Sequence, residues 1–272
     1  MNDVPLTKKA LGQHWLHDDT VLQAMCDAAE VGPTDVVLEI GPGPGTLTAK
    51  LAQRAQQVIA VEFDAELARD LPRRVPAPNV RVLQQDILRF DLGQLPPGYK
   101  LAANIPYYLT SNLLRVLCES RNPFSAAALL VQKEVAQRVC AAPGDMSLLA
   151  VSVQFYCQVG LGPVVPARLF TPPPKVDSQI LMLTHRPKPL FDDVDTKQFF
   201  RVVKAGFSQR RKTLLNSLGA GLQLDRAQAA QLLERAGIAP TTRAQNLSLE
   251  QWHRLATELN SNSLLASTLD LP

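Results

Sequence analysis

The chain has 272 residues, 46% hydrophobic and 19% charged, with a formal net charge of +3. That balance excludes a disordered chain, allows one large domain or one core with a smaller module, and alone does not mark a nucleic-acid binder. No run approaches the roughly 18 apolar residues of a membrane span, Met1 to Lys9 lacks an apolar signal segment, and Cys26, Cys118, Cys140 and Cys157 form no C-x-x-C pair, so a cytoplasmic protein with free thiols is expected.

His14 and His17 form an H-x-x-H pair without a Cys or carboxylate at a recognised ligand spacing, and no metal site is expected there. Val36 to Ile40 reads as a short strand ending in Gly41-Pro42-Gly43-Pro44-Gly45. Thr46 to Ala55 then carries Leu47 and Leu51 at i, i+4 and reads as a helix. Val58 to Val61 is a second strand ending at Glu62, and Leu67 and Leu71 mark a helical turn before Pro72. Val80 to Leu83 is a third strand ending at Gln85-Asp86, and Lys100 to Ala103 a fourth ending at Asn104. Ser111 to Cys118 reads as a helix with Thr110 or Ser111 as N-cap. Ala126 to Val131 is a fifth strand, followed by a helix over Glu134 to Ala141.

Strands alternating with helices predict a doubly wound parallel sheet with ligands at the carboxyl ends of its strands. Val151 to Val159 and Gln179 to Thr184 are β-rich without a long crossover helix between them, which predicts an antiparallel edge. Arg186 to Pro189 reads as a linker, after which Lys197 to Leu218, Arg226 to Ala236 and Leu249 to Leu259 read as helices. Gly237 suits the end of the second and Ser248 the start of the third. The expected organisation is an α/β Rossmann-like domain over 1–186, a small all-helical domain over 190–260 and a loose tail over 261–272.

The polar residues at the strand ends carry the chemistry. Gly41-x-Gly43-x-Gly45 lets backbone N–H groups approach a ligand closely. It is not a G-x-G-x-x-G dinucleotide fingerprint, because position 46 is Thr46. Glu39 would repel a pyrophosphate but suits a ligand bearing an ammonium group. Glu62, 21 residues after Gly41, stands where acidic residues take a ribose diol. Asp86 could accept from an adenine amino group. Together these suit S-adenosylmethionine.

Asn104-Ile105-Pro106-Tyr107 suits methylation of an exocyclic amine. Such a nitrogen is a poor nucleophile, its lone pair being delocalised into the ring. Two acceptors aimed at its N–H groups push density back: the Asn104 side-chain oxygen and the backbone carbonyl of Ile105 or Pro106. Pro106 restricts the backbone around it, and Tyr107 offers a flat face for a base.

These motifs resemble the ribosomal RNA adenine N6,N6-dimethyltransferase family, in its bacterial small-subunit branch, over about residues 8 to 258. The matching runs are Lys9-Ala10-Leu11-Gly12-Gln13, Leu38-Glu39-Ile40-Gly41-Pro42-Gly43, Asn104-Ile105-Pro106-Tyr107, Val131-Gln132-Lys133-Glu134-Val135-Ala136, Phe170 to Ser178 and Phe207 to Thr213. The resemblance implies S-adenosylmethionine-dependent dimethylation of two adjacent adenines near the 3′ end of 16S rRNA, in ribosome biogenesis. It implies cofactor contacts at His14, Leu16, Gly41, Gly43, Glu62, Asp86 and Asn104. It also implies that Phe170 lies near the target base, where Phe170 and Tyr107 could sandwich a flipped adenine, each face offsetting about 1–3 kcal/mol of unstacking.

Three positions depart from the family: His14-Trp15 replaces Asn-Phe, Tyr108 replaces an Asn, and Asp145 to Ala150 replaces a segment usually carrying Tyr-Gly-Arg. Lys197 to Asn216 contains six cations, among them Lys204, Arg210, Arg211 and Lys212, and no acidic residue. This stretch is expected to contact phosphates, with Lys8 and Lys9 adding to the surface. A monomer is expected. Rival readings are a large-subunit adenine methyltransferase of the macrolide-resistance type, a non-catalytic assembly or transcription factor on the same fold and, more distantly, an NAD-dependent oxidoreductase.

Overall fold

The computed structural model describes residue 7 and residues 12–261. Lys8, Lys9, the start of the first family run and the expected tail beyond Ser261 lie outside the described residues. The chain divides into two compact units. One comprises the described residues up to Gln137 together with Cys157–Arg186; the other comprises Arg138–Tyr156 together with those from Pro187 onward.

The first unit opens with β1 (Trp15–Leu16) and α1 (Asp19–Ala28). It continues through β2 (Val36–Ile40), α2 (Thr46–Arg54), β3 (Gln57–Glu62), α3 (Ala65–Arg74), β4 (Val80–Gln84), β5 (Lys100–Asn104), α4 (Thr110–Cys118), β6 (Ala126–Gln132) and, up to Gln137, α5 (Lys133–Val139). After an excursion that includes α6 (Leu148–Tyr156), the chain returns with β7 (Cys157–Val165), β8 (Phe170–Thr171) and β9 (Ser178–His185).

Among the described residues seven strands form one sheet in the order β4-β3-β2-β5-β6-β9-β7. The first five are parallel, and β9 pairs antiparallel with both β6 and β7, so the expected antiparallel edge is present. Strand order reverses between β2 and β5, which puts the ligand crevice at their carboxyl ends. Leu38, Leu101 and Leu129 on the central strands are fully buried. Their uninterrupted apolar runs are what a parallel sheet covered on both faces requires. Each such side chain stabilises the fold by about 1.5–3 kcal/mol.

Helix starts are fixed locally. Asp18 caps α1 by accepting from the Val21 N–H, and Asp64 caps α3 by accepting from Glu66 and Leu67. Helix α3 runs through Pro72 to Arg74, past its expected stop, although Pro72 has no N–H to donate to the carbonyl four residues earlier. The expected Thr110 or Ser111 cap is absent. The helix instead continues from a 3-10 turn over Tyr107–Leu109, and Leu109 precedes it without a side-chain cap.

The second unit contains α6, α7 (Thr196–Phe207), α8 (Leu214–Leu222), α9 (Arg226–Arg235) and α10 (Leu249–Ser261). Gly237 adopts φ 67° just past α9, and Ser248 exchanges hydrogen bonds with Gln251 at the start of α10, as expected. Two expectations fail here. Val151 to Tyr156 is helical rather than strand. Ala150, Val151 and Phe155 are buried among the helices of this unit, with the Phe155 and Phe199 rings 4.6 Å apart. Ser147 caps the helix, and Gln154 donates to the Val139 and Ala141 carbonyls. Tertiary packing thus overrides the β-propensity of the segment. The segment 138–156 accordingly belongs with the helices, not with 1–186 as expected.

Lys197 to Leu218 is also not one helix. It breaks at Ser208 to Thr213, where the Ser208 hydroxyl donates to the Ala205 carbonyl and five successive residues from Ser208 to Lys212 are exposed and without an apolar anchor. Among the described residues no helix is long and apolar enough to cross a membrane.

Candidate active site

A cavity of about 270 Å³ opens in the first unit at the carboxyl ends of β2, β3, β4 and β5. His14, Leu16, Gly41, Gly43, Glu62, Asp86, Asn104, Pro106 and Tyr107 all line it. Nine expected site residues from five stretches of sequence are therefore brought to one place.

The glycine loop forms its floor. Gly41 has φ 66°, and a Cβ there would meet nothing within 4 Å, so bare backbone faces open space. Gly43 has φ 55°, and a Cβ would stand 2.6 Å from the Trp15 ring. Only glycine lets that indole cross the loop. The Gly43 N–H donates to Oε2 of Glu62 at 3.1 Å, and the Asp64 N–H donates to Oε1 at 2.9 Å. These bonds fix the Glu62 carboxylate, while burial raises its pKa. Each oxygen retains a lone pair for a hydroxyl donor.

Glu39 is 1% exposed, and its Oε2 has no protein partner among the described residues. Burial pushes its pKa up to about 8, against the lowering effect of the Thr48 hydroxyl beside it. A buried carboxylate short of a partner beside a cavity is poised for a cation. Asp86 caps a 3-10 turn by accepting from the Leu88 N–H at 3.0 Å, and stays half-exposed on the rim.

Strand β1 was not legible in advance. It pairs antiparallel with β8, setting Trp15 opposite Thr171 and Leu16 opposite Phe170. The Thr46 hydroxyl donates to the Leu16 carbonyl at 2.9 Å. His14 Nδ1 lies 2.7 Å from the Pro172 carbonyl, which makes Nδ1 the donor. Residues 12–16 therefore form a strap tied to the glycine loop, to the proline-rich loop after β8 and to the tetrad.

In the tetrad, Asn104 Nδ2 donates to the His14 backbone carbonyl at 3.0 Å. The Pro106 carbonyl is engaged by the Leu109 N–H at 3.0 Å in the 3-10 turn. A carbonyl oxygen carries two lone pairs, so the Ile105 and Pro106 carbonyls both stand as backbone acceptors. Tyr107 stacks on His14, centroids 6.0 Å apart and planes 23° apart. Burial raises the pKa of its phenol, which stays protonated at neutral pH.

Phe170 is not brought to the cavity. It is 4% exposed, packed in the core cluster with Leu16, Leu22 and Met25. The expected Phe170–Tyr107 sandwich does not form in this arrangement, because the ring is spent on packing beneath the strap. An aromatic that sequence reasoning passed over, Phe63, lines the cavity and is 59% exposed. The available signal was its place between Glu62 and Asp64 at a strand end.

Lys204, Arg210, Arg211 and Lys212 lie outside the cavity, in the second unit. All four are exposed, Lys204 in the last turn of α7 and the others in the turn before α8. The departing segment at Asp145 to Ala150 lies in that unit too, with Met146 buried and its N–H donating to the Gln245 carbonyl at 3.1 Å.

The family described as "Ribosomal RNA adenine dimethylase" matches residues 5–261. "Ribosomal RNA small subunit methyltransferase A" of Dehalococcoides mccartyi is 45% identical over 260 residues, 94% of this chain and 89% of that protein. A dimethyladenosine transferase from Plasmodium falciparum has a crystal structure similar at TM-score 0.79 and 28% identity, covering 91% of this chain and 98% of that one. The crystal structure of 23S rRNA methyltransferase ErmE is similar at TM-score 0.73 and 30% identity, covering 90% and 99%.

Proposed function

The chain belongs to the ribosomal RNA adenine dimethylase family, and from that premise we propose that it dimethylates the N6 amines of two adjacent adenines near the 3′ end of small-subunit rRNA, using S-adenosylmethionine. Bound in the cavity, this cofactor supplies an electrophilic methyl group on a sulfonium. The residues present fit it. Gly41 and Gly43 allow close backbone approach, Glu39 takes an ammonium, Glu62 a ribose diol and Asp86 an adenine amine. His14 and Leu16 belong to the strap beside it, and the exposed Phe63 ring offers a flat face.

The observation that carries the reaction is the orientation of Asn104. Its amide N–H is committed to His14, so its oxygen is the end left for an incoming amine. That oxygen and the backbone carbonyl of Ile105 or Pro106 accept the two amine hydrogens and localise the nitrogen lone pair for in-line attack. As the N–C bond forms and the methyl–sulfur bond breaks, the sulfur would leave as a neutral thioether while the nitrogen acquires the positive charge and its proton becomes acidic enough for water to take, so no side-chain base is required. Catalysis rests on positioning and preorganised acceptors. Tyr107 stacks on the acceptor base, which has to leave its own stack to enter. The exposed cations Lys204, Arg210, Arg211 and Lys212 contact rRNA phosphates. The protein acts as a monomer in the cytoplasm.

Labelled S-adenosylmethionine with unmethylated small-subunit particles tests this, with nucleosides identified by mass spectrometry. Dimethyladenosine at two adjacent 3′-terminal adenines supports it. Transfer to large subunits instead would support the second reading, a 23S-directed activity, which the similarity to ErmE keeps in view.

A further inference from the structure

The run Phe170 to Ser178 ends on a residue that the mechanism above leaves idle. Ser178 is 0% exposed at the first position of β9, opposite Gln132 on β6 and Val165 on β7. Its Oγ lies 2.9 Å from Oη of Tyr107, 71 residues earlier in the chain. Among the described residues each hydroxyl has the other as its protein partner.

The ring between is held from a second side. Tyr107 begins a 3-10 turn, where its backbone fixes the Cα but not the torsions of the side chain. His14 lies nearly parallel to one face of the ring and is itself tied through Nδ1 to the Pro172 carbonyl. A tether at Oη, the atom farthest from the backbone, restrains both side-chain torsions at once. The anchor is rigid: Ser178 pairs with strands on both sides, and the neighbouring Asp177 accepts from the Ala167 N–H through Oδ1 and from the Lys133 N–H through its carbonyl.

We propose that Ser178 is a positioning residue for methyl transfer, fixing through its hydrogen bond the plane of the Tyr107 ring on which the acceptor adenine stacks. This rests on the functional reading above. A stacked base inherits the orientation of its platform, and small misplacements of a reacting atom lower rates steeply. Ser178 touches neither substrate nor cofactor, so its removal lowers kcat while leaving cofactor affinity intact.

The test is a double-mutant cycle on small-subunit particles, reading kcat, KM and cofactor affinity by calorimetry. Ser178→Ala and Tyr107→Phe should each lower kcat roughly 3- to 10-fold, the range of one hydrogen bond, with cofactor affinity within about twofold of wild type. The double variant should be no slower than Tyr107→Phe alone, because both changes delete the same bond. Wild-type kcat in Ser178→Ala overturns the proposal. So does a Ser178→Ala defect that persists undiminished in the Tyr107→Phe background, since a purely structural role would behave that way. Should Ser178→Ala not fold, Tyr107→Phe decides alone: a fall of the stated size supports the tether and wild-type kcat overturns it. If wild-type protein fails to methylate the same particles, it is the functional reading that falls.

Discussion

The side chain of Asn104 and the main chain of His14, 90 residues apart, are joined by a 3.0 Å hydrogen bond. A carbonyl can only accept, so this bond dictates which end of the Asn104 amide is nitrogen and directs the oxygen elsewhere. His14, the residue just before the two-residue β1, thereby sets the polarity of the central acceptor. The same strap carries Trp15 across the glycine loop, so cofactor cavity and reaction centre share one support.

Asn104→Ala should lower kcat by on the order of 100- to 1000-fold, the usual loss of one preorganised polar group. Asn104→Asp should be comparably slow, although it keeps an acceptor. Its carboxylate cannot donate to the His14 carbonyl and faces it with like partial charge. Single-turnover transfer of labelled methyl groups measures both, and an Asn104→Asp protein near wild-type rate would refute the orientation argument.

The pKa of Glu39, raised by burial from 4.5 to about 8, makes stability and affinity respond oppositely to pH. A group whose pKa rises on folding contributes stability that is full below the unfolded value and is lost as pH climbs through the folded one. Ligand-free protein should therefore lose Tm between about pH 4.5 and about pH 8, and Glu39→Gln should flatten that part of the decline. An ammonium favours the ionised carboxylate, so cofactor affinity should climb over the upper part of the same window, with release of a proton. Calorimetry in two buffers of different ionisation enthalpy reads that proton. Affinity unchanged between about pH 6 and about pH 8 in the wild type would remove Glu39 from the ammonium site.

Replacing Arg210, Arg211 and Lys212 together by alanine should weaken binding to small-subunit particles and flatten its salt dependence. Each lost phosphate contact removes about 0.7–0.9 from the slope of log K against log salt. All three side chains are exposed, so Tm and cofactor affinity should hold. An unchanged salt slope would move the RNA contact off this turn.

Gly206→Ala probes the helical unit. A Cβ there would lie 2.3 Å from the Trp252 ring, which is fully buried. Overpacking of that kind costs about 1–3 kcal/mol, seen as a lower Tm. The cavity residues all lie in the other unit, so cofactor affinity at moderate temperature should be unaffected.

The parallel strands of the first unit and their polar ends were legible because each is a short apolar run closed by a residue the interior would reject, such as Asn104 or Glu62. Sequence was a poor guide where long-range packing decided. Val151 and Val153 favour strand locally, yet their segment is drawn into a helix by Phe199 and its neighbours. Phe170 looked like a recognition residue, but a core position beneath the strap claimed it. Strand β1 left no signal, since two residues have no periodicity and their partner lies more than 150 positions away. The break in Lys197 to Leu218 could have been inferred from the run of polar residues that follows Phe207.

The passage of the chain out of the first unit at Gln137, back at Cys157 and out again at Arg186 gives synthesis and folding different orders. When the ribosome has released the first 137 residues, the sheet still lacks β9 and β7, and β6 stands as an open edge. The apolar residues of α6 emerge next, well before Phe199 and Trp252 exist to cover them. A chain severed at the linker near Pro187 would keep α6 but lose its cover, exposing Met146, Val151 and Phe155 to water. The segment that reads as a domain boundary is therefore a poor place to cut, because the insert 138–156 would be left without the helices that cover it.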